Sequence, residues 1–492
     1  MCGIAGITSA SKESLVRRMM SAMAHRGPDG SGLRQGPHHT LGHVRLSIID
    51  LQGGAQPMPS PDSGSHIVFN GEIYNHQRLR KRLAGHKLRT NSDTEVILHL
   101  YEEGRSRHPD RLDGMFAYAI EDGAGLTLAR DPLGIKPLYL GRRNGATVFA
   151  SEIKAVLAVS DEVIEFPAGH IYSPETGLRR YYKLLPGKAD IEDGSVACAG
   201  LGRRLDAAVR HRMLADVPLG VFLSGGLDSS VVAAIARHFK ASLDTFAVGT
   251  ADSPDLARAR EVAAFLGTRH HERVYSLEQA LEALPQVIYH LESFDCALVR
   301  SAIPNFFLAE LASEHVKVAL SGEGADELFA GYDYLKALPN EDLPQELVDI
   351  TEALHNTNLQ RCDRMSMAHG LEVRVPFLDV ELVSYAFRIA TELKLTPNDQ
   401  TEKWILRKAA QRLLPESIAW RKKQKFASGA GLDDGLARVA EKRIGDSEFA
   451  SEKRAAPETR LRSKEELMYY RIFREQYPAE KLLPLTGRSR SV

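Results

Sequence analysis

The hydrophobic pattern of this chain changes its grammar near residue 185, and that change constrains the fold more than any other feature. Up to that point apolar residues fall in short runs rich in β-branched and aromatic types, bounded by Gly, Asn and Asp. Examples are HTLGHVRLSIIDL (39–51), HIVFNGEIYN (66–75), MFAYAIEDGAGLTLARD (115–131) and TVFASE (147–152). Such runs suit antiparallel strands, and amphipathic helices are expected over 12–24 and 92–105. After Tyr182 comes KLLPGKADIEDGSVACAG, rich in Gly, Pro and charge. Beyond it, apolar strands alternate with helix-period stretches: PLGVFL (218–223) before SSVVAAIARHF, LDTFAVG (243–249) before DLARAREVAAFLG, VKVALS (316–321) before GEGADELFAGY. Strand–helix alternation predicts a parallel sheet. The expectation is an α+β domain over 1–185, a linker over 186–200 and an α/β domain over 201–436 that ends in a helix-rich extension. A charged, solvated helical tail is expected over 437–492.

A chain of 492 residues is long enough for two such cores. Its 63 basic and 64 acidic residues nearly cancel, which leaves no electrostatic footprint for nucleic acid or an anionic membrane. The first twenty residues hold no continuous apolar core of signal-peptide type, and no later run approaches membrane-spanning length. Four scattered cysteines, Cys2, Cys198, Cys296 and Cys362, form neither a disulfide framework nor a CxxC site, so the reducing cytoplasm is the expected compartment.

Cys2 stands apart by position. Removal of Met1 would leave it with a free α-amine beside its own thiol, and an amine of pKa roughly 7.7–8.0 can take a proton from a thiol of roughly 8.5. An enzyme that attacks the side-chain amide of glutamine also needs an oxyanion hole and anchors for the α-carboxylate and α-ammonium. Asn70 and Gly71 of FNGEIYN offer a side-chain amide and a backbone N–H for the first need. Arg45 of RLSIIDL can hold a carboxylate bidentately, and Asp93, helped by Glu72, can pair an ammonium. MCGIAG, HRGPDG, RLSIIDL, FNGEIYN and SDTEVI, in this order, resemble the glutaminase domain of class II glutamine amidotransferases. The resemblance implies an N-terminal-nucleophile hydrolase with a four-layer αββα sandwich and Cys2 as nucleophile. It also implies Asn70 and Gly71 as the oxyanion hole, with Arg45, Glu72 and Asp93 as glutamine ligands. His25 and Arg26 are read as part of a hydrogen-bonded loop that shapes the pocket.

The second half carries its own chemistry. SGGLDSS (224–230) lies between an apolar strand and a helix, where Gly225 and Gly226 admit a polyphosphate close to the backbone. Ser224, Ser229 and Ser230 add hydroxyl donors, and the helix N-terminus adds its dipole. No GxxxxGK[ST] is present there, which disfavours kinase-type γ-phosphoryl transfer. LSGEGADELFAGY (320–332) follows another strand, so both loops can face one crevice at the strand ends. Asp228 and Asp326 then become candidate Mg²⁺ ligands and Glu323 a candidate base for incoming ammonia. Arg374 and Lys423, from DRMSMAHGLEVRVPFLD and WRKKQKFASGAG, are candidate cations near a pyrophosphate leaving group.

From Met1 to about Gly431 the motifs resemble, in order, glutamine-dependent asparagine synthetase, whose second domain is a pyrophosphate-loop, adenine nucleotide alpha hydrolase-like α/β domain. The resemblance implies ATP as co-substrate with Mg²⁺, Leu223 and Val248 beside adenine, and Ser321 and Gly322 in the nucleotide pocket. Arg300 and Lys423 would assist at pyrophosphate. Aspartate would be adenylated, and ammonia from the Cys2 centre would reach it through an internal tunnel. The implied partners are glutamine, aspartate and ATP, with no nucleic acid and no membrane, and a homodimer is compatible with the family. One departure stands out. Many such synthetases carry two threonines shortly before the arginine aligned with Arg300, whereas this chain reads CALVR, with Ala297 and Leu298. A different carboxylate acceptor, such as a peptide or natural-product acid, is the alternative that this departure raises.

Overall fold

The computed structural model describes residues 1–421 and 433–490, and the chain divides into two compact units. The first comprises residues 1–184 with 214–218 and 367–372; the second comprises 185–213, 219–366 and 373–492.

The first unit holds two six-stranded sheets. One runs Ile164–Glu165, Tyr139–Arg143, Ala146–Ala150, Gly3–Ile7, Thr40–Arg45, Gly30–Gln35. The other runs Gly177–Arg180, His170–Ser173, Gly125–Arg130, Gly114–Asp122, His66–Ile73, Met58–Pro59. Their strands pair antiparallel, Gly3 opposite Val44 and Asn70 opposite Ala117. Side chains alternate across a strand, so each sheet has two faces to cover. Val68, Ala117, Ala119 and Leu128 of one sheet meet Ile4, Leu41 and Phe149 of the other. The intervening residues Ile67, Phe69, Phe116 and Tyr118 turn the other way and pack under Leu79, Val96, Ile97 and Leu100. Those last four come from helices His76–Arg82 and Asp93–Gly104. On the opposite side, helix Glu13–Ala22 lies against the first sheet so closely that a Cβ on Gly42 would meet Val16 at 2.4 Å. The result is the four-layer αββα sandwich.

In the second unit the strands Arg269–Val274, Asp244–Gly249, Leu219–Phe222 and Val318–Leu320 form a parallel sheet, with Glu372–Arg374 at its edge. The sheet is crossed by helices Leu227–Phe239, Pro254–Leu266, Leu277–Leu291 and Cys296–Ser313. Leu219–Phe222 is buried throughout, as a strand covered on both faces requires. Two features depart from the sequence reading. Helix Gly194–Arg212 begins inside the segment read as linker and buries Ala197, Leu201, Leu205 and Val209. The segment after 437, read as solvated, contains helix Lys464–Gln476, which buries Leu467, Met468, Tyr469, Tyr470 and Phe473. Phe294 packs on Tyr470 and Phe473, so this helix belongs to the core of the second unit. Charged residues around the apolar stripe of EELMYYRIF had masked it. No helix among the described residues is long and apolar enough to cross a membrane.

Candidate active sites

In the first unit Cys2 opens the strand Gly3–Ile7, and its contacts come from neighbouring strands and from the turn Ala24–Arg26. Its thiol points to the Leu46 carbonyl at 3.7 Å, just past the end of Thr40–Arg45. Its backbone N–H donates to Asn70 Oδ1 at 3.1 Å, and its carbonyl accepts from Arg26 Nε at 3.0 Å. Arg26 is fully buried and is held by Glu152, which also contacts His25 and Lys154. Burial alone would raise the Glu152 carboxyl, but Lys154, His25 and Arg26 hold it well below the ordinary carboxylate range. This anionic hub locks the 25–26 loop against the Cys2 backbone, a positioning role for His25 and Arg26. Asn70 is fully buried, and its Nδ2 has no hydrogen-bond partner among the described residues. A buried donor left unsatisfied costs about 1–3 kcal/mol, so this amide is a donor still available to a bound group.

Gly71 follows on the same strand, and a Cβ there would meet the Met115 carbonyl at 2.1 Å, so only glycine fits. Glu72 is buried beside it. Asp93, the first residue of its helix, accepts the Ile73 N–H at 2.9 Å, which ties the helix start to the end of the Asn70 strand. Arg45 donates to the carbonyls of Leu51 and Asp50 at 3.0 and 2.8 Å, and Asp50 Oδ2 in turn accepts the Asn91 N–H at 2.7 Å. Arg45 and the start of the Asp93 helix are thus joined through one loop. Met1 is buried, with its α-amine 3.1 Å from Glu372. Burial pushes the Cys2 thiol up, and the adjacent Met1 ammonium and the Leu46 contact work against that rise.

In the second unit both Gly-rich loops open on one cavity of about 950 Å³. Gly225 has φ +66°, and a Cβ there would meet the Arg258 backbone at 2.5 Å, so the turn needs glycine twice over. Ser224 Oγ accepts the Gly226 N–H at 3.2 Å and lies 3.1 Å from Ser229 Oγ. Ser230 Oγ is buried with no partner among the described residues. Gly322 closes the approach of the second loop, since a Cβ there would meet both Asp228 Cβ and the Ser229 N at 2.9 Å. Leu223, Val248 and Ser321 line the same cavity. Asp228 and Asp326 converge on one cation, the Lys403 ammonium, at 2.6 Å each. Two carboxylate oxygens aimed at a common cationic centre are the hard donors that Mg²⁺ prefers, so the pair fits that ion. Glu323 is ion-paired with Arg361, and burial pushes its carboxyl up against the pull of that arginine.

The two halves now have relatives to be set against. The family profile "Glutamine amidotransferase domain" matches residues 1–196, and "Asparagine synthase" matches 200–353 and 340–482. "Asparagine synthetase [glutamine-hydrolyzing] 2" of Arabidopsis thaliana is 40% identical over 97% of this chain and 88% of its own length. The chain belongs to the glutamine-hydrolysing asparagine synthetases. "Probable asparagine synthetase [glutamine-hydrolyzing]" of Schizosaccharomyces pombe is 39% identical over 98% of this chain and 94% of its own length. "Asparagine synthetase B [glutamine-hydrolyzing]" of Escherichia coli is 38% identical over 97% and 92%.

The synthetase cavity differs from the sequence expectation at Arg300, at Arg374 and along residues 486–490. Arg300 lines the cavity, but its fork grips Glu465, Nε to Oε1 at 2.8 Å, while Tyr469 Oη holds the same carboxylate at 2.6 Å. It is spent on anchoring the Lys464–Gln476 helix rather than offered to pyrophosphate. Arg374 is fully buried and donates to the Arg212 carbonyl at 2.8 Å, with its own carbonyl accepting the Ser321 N–H at 2.9 Å. It braces the second loop from behind and is no pyrophosphate cation. Lys423 lies outside the described residues. Residues 486–490, assigned no role in the sequence, form a wall of the cavity together with Ala297 and Leu298.

Three groups escaped the sequence reading altogether. Lys403 sits in EKWILR, an ordinary helix start, and nothing local marks it as the counter-charge of two aspartates. Arg361 pairs with Glu323 from a sequence distance of 38 residues. Arg421 reaches the Gly225 carbonyl of the first loop; it was legible only as one cation in a basic run.

Proposed function

We propose that the chain makes asparagine by two linked reactions, with ammonia released from glutamine in the first unit consumed in the second. Removal of Met1 leaves the Cys2 amine on Asn70 Oδ1, where it can take the thiol proton. The thiolate attacks the glutamine amide carbon, with Asn70 Nδ2 and the Gly71 N–H receiving the oxyanion. Arg45 holds the substrate carboxylate, and Asp93 with Glu72 holds its ammonium. The Cys2 amine returns that proton to the amide nitrogen, ammonia departs, and water then releases glutamate from the thioester.

In the second unit the aspartate side-chain carboxylate attacks the α-phosphorus of ATP, giving an aspartyl adenylate and pyrophosphate. Leu223 and Val248 flank the adenine, while Ser224, Gly225, Gly226, Ser229, Ser230, Ser321 and Gly322 form the phosphate cradle. Asp228 and Asp326 would hold Mg²⁺, which supplies charge neutralisation at the polyphosphate when bound. Lys403 holds the two aspartates together before the nucleotide enters. Glu323 takes the proton that ammonia sheds as it attacks the acyl carbon and displaces AMP, a task that its raised carboxyl pKa suits.

The observation that carries this reading is the meeting of the two strand-end loops at Gly322 and Asp228 over one cavity. The test is product analysis with aspartate, glutamine and ATP, in wild type and Cys2→Ala. Asparagine, AMP and pyrophosphate are expected from wild type. Cys2→Ala should make them from ammonia and not from glutamine. ADP as product, or loss of both activities in a folded Cys2→Ala protein, would refute the scheme.

A further inference from the structure

Three segments far from Cys2 in the sequence meet at the outer helix of the first unit: the turn 60–63, the connection 83–92 and the helix Asp93–Gly104 itself. They bring together Asp62, His86, His99 and Glu102, one ligating atom from each lying within 4.8 Å of the others. His99 is fully buried, His86 and Glu102 are half-buried, and the two imidazole centroids are 4.7 Å apart.

The arrangement is more ordered than a shared ion pair needs to be. Ser60 and Ser63 hydroxyls both donate to Glu102 Oε1, the latter at 2.7 Å, which turns Oε2 toward the rings. That single oxygen lies 2.9 Å from His99 Nδ1 and 3.5 Å from His86 Nδ1. Behind the His86 ring stands a second carboxylate, Glu103 Oε1 at 3.3 Å from Nε2, while His99 Nε2 is buried with no hydrogen-bond partner among the described residues. A ring nitrogen facing a common centre, with a carboxylate orienting the opposite nitrogen, is how proteins set histidine for metal binding.

We propose that Asp62, His86, His99 and Glu102 form a binding site for a first-row transition-metal dication of the Zn²⁺ class. Two imidazole nitrogens and two carboxylate oxygens match the donors of a four-coordinate zinc site, whereas Mg²⁺ and Ca²⁺ take oxygen sets. Ligands about 2.0–2.1 Å from a tetrahedral ion lie roughly 3.3 Å apart, so the cluster must contract on binding. Exposed Asp62 and half-buried His86 have room to move, while His99 and Glu102, three residues apart on one helix face, are the fixed half. A bound ion would cross-link all three segments. Asp93 begins the same helix six residues before His99, about 9 Å along its axis, so the cross-link stiffens the end of the unit that faces glutamine. Metal binding itself does not depend on the role given to Asp93.

The full chain, stripped with chelator, is titrated with Zn²⁺ and separately with Co²⁺. Expected are one equivalent of Zn²⁺ bound by the cluster, a raised melting temperature, and the visible bands of four-coordinate Co²⁺. His86→Ala and Glu102→Gln should each weaken this binding about 100-fold or more with circular dichroism unchanged, and Glu103→Gln about tenfold, through loss of ring orientation. Cys2→Ala should retain the Co²⁺ bands. Equal Zn²⁺ affinity in wild type and His86→Ala, or Co²⁺ bands lost in Cys2→Ala and kept in Glu102→Gln, overturns the proposal.

Discussion

Replacing Lys403 with methionine isolates the electrostatics of the synthetase cavity. Its ammonium lies 2.6 Å from Asp228 Oδ2 and from Asp326 Oδ1, on a side chain only 4% exposed. Burial alone would lower this amine, but the two aspartates hold it well above the ordinary lysine value. It is therefore a permanent cation over the neutral range. Two oxygens sharing one nitrogen at that distance are at most about 5 Å apart, where unit charges in an effective dielectric of about 20 repel by roughly 3 kcal/mol. Removing one partner of a buried ion pair costs about 3–5 kcal/mol, which agrees. In chelator, Lys403→Met should lose about 3 kcal/mol, or roughly 5 °C for a unit of about 300 residues. Methionine conserves most of the stem, so packing loss is a small part of the change.

The diagnostic is the response to Mg²⁺ without nucleotide. The dication is opposed by Lys403 in wild type and unopposed in the variant, so Mg²⁺ should recover much of the deficit in Lys403→Met and shift wild type little. Thermal melts in chelator and in millimolar Mg²⁺ make the comparison. Coincident melts in chelator, or equal Mg²⁺ shifts in both proteins, would refute the account of Lys403 as resident counter-charge.

Asn70→Asp keeps the acceptor for the Cys2 nitrogen and deletes the buried Nδ2 donor, so glutaminase kcat should fall about 10²–10³-fold while ammonia-dependent synthesis is unchanged. Lys394 is buried, and desolvation pulls its amine down to about 7. The folded state then binds its proton less readily than the unfolded state, so the stability cost is full below pH 7 and fades as pH rises toward 10.5. Lys394→Met should accordingly stabilise the protein by at most about 5 kcal/mol below pH 7, with the gain shrinking in urea melts between pH 7 and 10. Ser489 donates from both Oγ and N–H to Asp295, the cap of the helix bearing Ala297, Leu298 and Arg300, at 2.6 and 3.1 Å. Ser489→Val should raise the aspartate KM about tenfold and leave glutaminase unchanged; an unaltered aspartate KM would detach residues 486–490 from acceptor binding.

The parts of this protein legible in the sequence are those whose chemistry is written in a few consecutive residues. The β-branched and aromatic content of HIVFNGEIYN already implied an antiparallel strand, and SGGLDSS between a strand and a helix already implied an anion cradle. Cys2 beside Met1 marked itself as the candidate nucleophile. Such signals are local because backbone geometry repeats over short distances and a loop's donors come from its own residues. What needed the tertiary structure was pairing across distance. Nothing in EKWILR says that Lys403 answers Asp228, 175 residues away. Likewise, nothing in CALVR says that Arg300 is claimed by Glu465, 165 residues on. The 437–492 segment was misread for the same reason: its charges are visible in the sequence, while the apolar stripe acquires meaning only against Phe294. Composition and motif determined which reactions the chain is equipped for. Only folding decided which charges are used up as struts, because an ion pair is made by two side chains whose meeting neither one encodes alone.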